Sequence, residues 1–442
     1  MNLKSTSSYS NWVKMTSEFL SKEEREVLCE DGKTRKKNFS ELLGMLDSTK
    51  KKVRDSAAAA FNDILLKNSD VAENELNSVL QDKKANDMIR NMPRPDLGRH
   101  LGDDIETEIV DELVRTISKR FGISRRYYAL KAKLLGVKKL KYHERNVPYG
   151  KAEKKRDYGE ASELVSNVLN GLDSEFGRIF SDFSRNGQID AFPKKGKESG
   201  AFCVHWTKMS PTYILLNHSD SLHDVLTLAH ELGHGINNEL AKKNQNSFNY
   251  SPPTSTAEVA STFMEDFVLR ELEQEADDEL RLALMMMKLN GDVSTIFRQI
   301  AGYMFEMELH EEFRKKGYLS KKEIGALFLK HMDGYMGDAV EKSAGSENWW
   351  VYWSHIRSYF YNYSYASGLL ISKFMQMETR KDPKFILKVK EFLSAGSHDS
   401  PRNIFMKMGV DISKREFWNE GLDEVEALLH ETEKLAKKLG RI

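Results

Sequence analysis

Apolar residues recur at helical spacing along most of the chain. Val53, Ala57, Phe61, Ile64 and Leu65 predict an amphipathic helix within residues 50–80, and Ile109, Leu113, Val114 and Ile117 predict another over 105–121. The run Asn91-Met-Pro-Arg-Pro95 between them breaks the period and predicts a loop. Ala161, Leu164, Val165, Val168, Leu169, Leu172 and Phe176 carry the same pattern through residues 158–183. The character then changes. A turn-rich stretch, Pro193 to Gly200, precedes Ala201-Phe-Cys-Val-His-Trp206 and Tyr213-Ile-Leu-Leu-Asn217, the best strand candidates in the chain. From Ser221 the helical period returns and runs to Ile442. The expected fold is mostly α, with a small sheet just ahead of Ser221. The expected organisation is an N-terminal helical region, 1–140, and a second region, 141–442, that shares one continuous helical core.

Within that second region stands His230-Glu231-Leu232-Gly233-His234. On a helix, residues four apart lie on one face, so two imidazoles can reach one zinc ion with Glu231 beside it. Ser221 is a plausible N-cap for this helix. A bare motif of this kind also describes two surface histidines. The apolar residues before it, Val225 to Ala229 with Thr227 as the exception, favour burial, and buried imidazoles and carboxylates need partners. Catalytic zinc takes three protein ligands. A third ligand of the metzincin kind needs Gly at 237 and His at 240, where this chain has Asn237 and Leu240. A Glu from a following helix is the other scheme. Glu258, in a polar stripe with Ser261, Thr262 and Glu265, fits it, although Ser255 to Glu258 fits a capping box equally well. Glu265 is the fallback ligand.

Composition narrows the partners. Lys plus Arg and Asp plus Glu each number 67, so no global basic field attracts nucleic acid or an anionic membrane. The Lys-rich runs at 131–141 and 151–156 read as solvated surface. Two cysteines, Cys29 and Cys203, are too few for a disulfide framework or a Cys-rich zinc site and read as free thiols. With no secretory h-region at the N-terminus and no apolar run of membrane-spanning length, the expected location is cytoplasmic. The histidines at 100, 143, 310, 331, 398 and 430 are scattered and read as ordinary core or surface residues.

Several segments together resemble the oligoendopeptidase F and thimet oligopeptidase group of zinc peptidases, nearer the oligoendopeptidase F branch. They are Lys195 to Phe202, Pro211 to Asn217, Thr227 to His234, Ala257 to Phe263, Tyr335-Met-Gly337 and His355 to Gly368, and their order and spacing also agree over roughly residues 50–435. The resemblance implies a two-lobed helical shell around a deep substrate channel, with Glu258 as third ligand of one zinc ion. It implies endopeptidase cleavage of short peptides. Gly200, Ala201 and Phe202 would pair with the substrate backbone, which is β-augmentation. His355, Tyr363 and Tyr365 would belong to the loop that stabilises the oxyanion.

The chain departs from the family pattern in three places. It is shorter before the zinc motif, which predicts a more open channel. Asn237 stands where the family often has His, and His355-Ile-Arg357 replaces His-Phe-Tyr. The expected reaction is hydrolysis by metal-activated water with Glu231 as general base. Two alternatives remain at this level: a catalytically silent peptide-binding protein of the same fold, and an exopeptidase with the same zinc chemistry.

Overall fold

The computed structural model describes residues 2–150, 155–198, 200–253 and 256–442. The architecture is mostly α, as the hydrophobic period predicts. A hairpin, β1 (Glu24–Leu28) and β2 (Thr34–Asn38), opens onto the long helix α1 (Lys51–Ile89). Helices α2 (Thr107–Lys119), α3 (Phe121–Leu134), α4 (Tyr158–Leu172) and α5 (Ser174–Arg185) follow. The strands are β3 (Ile189–Asp190), β4 (Phe202–Val204) and β5 (Tyr213–Leu215). Then come α6 (Leu222–Asn244), α7 (Val259–Gln274), α8 (Asp278–Asp292), α9 (Arg298–Lys316) and α10 (Lys321–Met336). Three more helices complete the set used below: α11 (Tyr363–Lys381), α12 (Ile386–Ser394) and α13 (Arg415–Lys438).

The β1–β2 hairpin corrects the reading of residues 1–140 as helices alone. Its strands, Glu-Arg-Glu-Val-Leu and Thr-Arg-Lys-Lys-Asn, are largely solvated and bury chiefly Val27. They therefore lack the apolar alternation that reveals a strand, and Gly32 in the left-handed region makes the turn. Lys131 is a second correction. It is buried rather than solvated, and its ammonium donates to the Arg145 carbonyl at 2.6 Å and to Asn290 Oδ1 at 3.0 Å. Residues 151–154 of the second Lys-rich run lie outside the described residues.

Two features of the fold build the site. The first is the crossing of α6 and α7. Val225, Leu228, Ala229, Leu232 and Ile236 of α6, and Val259, Ala260, Phe263 and Met264 of α7, are completely buried. Gly233 sits at the contact point. A Cβ there would fall 2.5 Å from Ser261 Cα and 2.6 Å from the Ala260 carbonyl oxygen, so only glycine lets the helices approach this closely. The second is the sheet, ordered β3–β5–β4, with β4 antiparallel to β5 in the register Cys203 opposite Ile214. β4 is thus an edge strand, as expected of the run that starts at Ala201, with one side open to pairing. Gly200 (φ +84°) turns the chain into it.

Candidate metal centre

Ser221 caps α6 as the sequence predicts. Its hydroxyl accepts from the Asp224 N–H, and Asp224 accepts from the Ser221 N–H in return. The helix then presents His230 and His234 together, their rings 5.1 Å apart. Glu258 occupies the residue just before α7 and turns its carboxylate toward both. Oε2 lies 3.4 Å from His230 Nε2 and 3.7 Å from His234 Nε2. The three side chains are a quarter to a third exposed, so the site opens to solvent. The side chain of Glu258 makes no hydrogen bond that caps α7. Thr254 and Ser255, the other end of the expected capping box, lie outside the described residues.

The three ligand atoms converge within 4.8 Å of one another, with two imidazole nitrogens and one carboxylate oxygen, a donor set that fits zinc. One ring is held from behind. His230 Nδ1 bonds Glu265 Oε2 at 3.0 Å, and the Ala257 backbone stands beside His234. Glu265, the fallback ligand, thus orients a ligand, because its carboxylate meets the ring nitrogen on the far side from Glu258. Without a cation, burial disfavours the charged form of His230, but the Glu258 and Glu265 carboxylates outweigh it and push the imidazole up to about 10. Burial takes His234 down to about 4. Partial burial favours the neutral form of Glu258, but His230 and His234 outweigh it and draw the carboxyl down to about 2.

Glu231 is buried, and the backbone of Cys203 on β4 stands near enough to act on its carboxylate. Burial raises its pKa above the usual carboxylate value, and the Glu258 charge adds to the rise while His230 opposes it. It is therefore a better base than a solvated carboxylate. Phe202 begins the edge strand and is 36% exposed, Ala201 is half-buried and Gly200 exposed. All three expected residues stand at an open edge whose next residue stands near Glu231.

The expected oxyanion residues divide. His355 Nε2 lies 3.2 Å from the Tyr365 hydroxyl. The indole N–H of Trp353 donates to His355 Nδ1 at 2.9 Å. An indole nitrogen can only donate, so Nδ1 must accept and the neutral ring carries its proton on Nε2. Burial and Arg298 keep His355 below its ordinary value, so this neutral tautomer prevails. Tyr365 is raised by burial and by Tyr361, and Glu258 raises it further, so its hydroxyl stays protonated and faces the ligand trio's charge. Tyr363 is not part of this group. It is fully buried and donates to Asp103 Oδ2 at 2.7 Å, packed on His100 and Tyr303. Two residues on a helix are about 200° apart, so Tyr363 and Tyr365 cannot both face the site.

Sequence reasoning missed Trp353, Tyr361 and the roles of Asn237 and Arg357. Tyr361 packs edge-on to Tyr365 at 5.1 Å. Asn237 donates to the Leu393 carbonyl at 2.6 Å and joins α6 to α12, away from the trio. Arg357 is buried in a two-pronged pair with Glu75 of α1, at 3.0 and 2.7 Å, and anchors the loop rather than facing substrate. The spacing Trp353-x-His355 was the one available signal, because it places an obligate donor beside an imidazole.

An HExxH helix crossed by a second helix that supplies a carboxylate, on a mostly helical frame, is the class that fold and site define. The chain belongs to Peptidase family M3, whose family model matches residues 173–424. It is 30% identical over 347 residues to oligopeptidase PepF of Bacillus subtilis, covering 74% of this chain and 50% of that protein. To an oligoendopeptidase F homolog of Lactococcus lactis it is 28% identical, covering 76% and 56%. The chain thus spans about half the length of the curated relatives it matches. The oligoendopeptidase-F structure from Enterococcus faecium superposes with a TM-score of 0.78 at 20% identity, over 98% of this chain and 73% of that one. PZ peptidase A, solved with an inhibitor, gives 0.76 at 17% identity, over 95% and 76%. These structures share the mostly α fold. Among the described residues no helix is long and apolar enough to cross a membrane.

Proposed function

We propose that the chain is a zinc-dependent endopeptidase that hydrolyses short oligopeptides. His230, His234 and Glu258 hold the ion, and Glu231 is the general base. The observation that carries this reading is the convergence of both Nε2 atoms on Glu258, with Glu231 buried beside them and its pKa raised. Zinc, when bound, supplies Lewis acidity, which acidifies water and polarises a carbonyl. Glu231 takes the proton of the attacking water and delivers it to the leaving amide nitrogen. His355 through Nε2–H and Tyr365 through its hydroxyl donate to the carbonyl oxygen as charge develops on it. The open edge of β4 holds the peptide backbone in extended form, which accepts many sequences because main-chain groups make the bonds.

The test is Glu231→Gln. The amide keeps the shape and leaves the three ligands intact, but it cannot accept a proton. Metal analysis should find the same zinc content as in the unaltered chain, and cleavage of a quenched fluorescent peptide should fall by at least ~100-fold, within the usual range for a general base. Cleavage near the unaltered rate, or hydrolysis that survives complete chelation, would defeat the proposal. Mass spectrometry of products from a peptide of about ten residues, long enough to fill an extended strand-addition site, separates endopeptidase from exopeptidase cleavage.

A further inference from the structure

Beside the oxyanion loop lies a cavity of about 310 Å³, with His355 and Trp353 in its wall together with Phe328, Trp349 and Tyr142. Two guanidinium groups reach it, from Arg145 and Arg298. Arg145 is clamped between the rings of Tyr142 and Trp349, 4.4 Å from each centroid, and donates to the Tyr142 carbonyl at 3.0 Å. Arg298, the first residue of α9, has no such anchor. No hydrogen bond or ion pair joins it to any described residue, and its Nε is shut off from solvent. Its charge acts on Asp47, His355 and the tyrosines at 128, 142, 335 and 365, and Arg145 lines the same cavity. Asp47 is the one acid among them, and it forms no ion pair with Arg298.

A guanidinium whose Nε is shut off from water and left without a partner is costly, and a carboxylate is the partner whose geometry matches its forked donors. The aromatic wall suits the aliphatic stem that carries such a group. His355 borders both the cavity and Tyr365, so whatever fills the cavity lies next to the carbonyl under attack. Resting on the peptidase reading above, we infer that this cavity is a specificity pocket that takes a carboxylate of the substrate, held by Arg298. The carboxylate has two sources, an Asp or Glu side chain flanking the scissile bond or the peptide's C-terminus.

Binding rather than turnover tests this, so that the two readings fail separately. Labelled peptides of about eight residues, enough for an extended strand-addition site, are titrated by fluorescence anisotropy against the Glu231→Gln chain in the presence of zinc. One pair differs only as C-terminal acid and C-terminal amide, and another only as Glu and Gln at each position in turn. At least one neutral replacement should weaken binding about tenfold or more, the size of a hydrogen bond to a charged group. In a second background that also carries Arg298→Met the same replacement should cost nothing, and Arg298→Lys should recover part of the preference. The peptide comparison on the unaltered pocket stands even if Arg298→Met does not fold. Equal affinity for every acid and neutral partner, or a penalty unchanged by Arg298→Met, would overturn the inference. Preference for the acid in these titrations together with no cleavage of any peptide by the unaltered chain would instead remove the peptidase reading and keep the pocket.

Discussion

Tyr363 and Tyr365 illustrate how one residue's phase on a helix separates chemistry from support. The hydroxyl of Tyr365 meets His355 Nε2, whereas that of Tyr363 is spent on Asp103, whose carboxyl burial pushes up. Tyr365→Phe removes a donor from the reacting side and nothing from the core. It should lower kcat by about 100-fold, the size of one lost oxyanion donor, and leave KM and the melting temperature nearly unchanged. Tyr363→Phe strips a buried acid of its partner. It should cost ~1–3 kcal/mol of stability in a denaturant titration, with kcat of the folded fraction close to normal. Steady-state kinetics and unfolding curves on both variants check the division, and a reversed pattern would place the oxyanion donor at Tyr363. Both tyrosines stand in one alternating run, Tyr359, Tyr361, Tyr363 and Tyr365, where composition alone cannot sort them. The sorting depends on where α11 begins, and that is set by packing against α7 and α13, not by the local residues.

The α6–α7 crossing is the element that brings three separate side chains together as the proposed metal centre. Gly233 is its weak point in an unusual sense, because local and tertiary preferences oppose each other there. Alanine favours a helix interior by about 1 kcal/mol over glycine. A Cβ at 233, however, would meet backbone atoms of Ala260 and Ser261 at 2.5–2.8 Å, and backbone cannot swing aside as a side-chain tip can. The clash should win. Gly233→Ala is expected to lose ~1–3 kcal/mol of stability and to weaken zinc binding, since Glu258 rides on the displaced helix. Zinc titration with a competing chelator would show the loss, and unchanged affinity would mean that the helices absorb the methyl group by other means. Much of this element was legible in the sequence. The Ser221 cap, the apolar face of α6 and the two imidazoles all follow from spacing. Glu258 was legible only as one of two readings, because a capping box and a ligand share the same residues. The roles of Glu265, Trp353 and Arg298 were not legible. Each depends on which side chain from a distant segment stands opposite, and no local period encodes that. The β1–β2 hairpin escaped for another reason, its strands being too polar to show a buried face.

At the scale of the molecule, the loop from Trp353 to Asn362 is where the N-terminal helices meet the half that carries the His230–His234–Glu258 trio. The hydroxyl of Tyr9 donates to the Arg357 carbonyl, Glu75 pairs with Arg357, and Tyr359 donates to the Val79 carbonyl at 3.1 Å. Arg99 donates to the carbonyls of Ser358 and Tyr359 from the same side. Tyr359 and Phe360 both hold positive φ, near +50° and +57°, a strained turn that the surroundings must maintain. From below, Glu306 of α9 accepts the Phe360 N–H at 2.8 Å, and His310 packs on the Phe360 ring. Burial pushes Glu306 up to about 8 and holds His310, 3.9 Å away, well below its ordinary 6.5. Folded, the pair therefore carries one proton, on the acid, from acidic pH up to about 8. Unfolded, it carries one proton between 4.5 and 6.5, on the imidazole, and none above 6.5. Both states bind the same number of protons in the lower window, so stability there is flat as far as this pair is concerned. Above 6.5 the folded state holds a proton that the unfolded state has released, so stability declines as pH rises toward 8, by ~1–2 kcal/mol in all. Glu306→Gln keeps an acceptor for Phe360 and cannot ionise. Thermal melts of the two proteins across pH 6–8.5 should show the decline in the original chain and a flatter profile in the variant. Parallel profiles would mean that the acid under the turn is already ionised at neutral pH, with its charge met by a protonated His310. The turn would then be held by an ion pair, and removing either partner should cost far more than removing a neutral hydrogen bond.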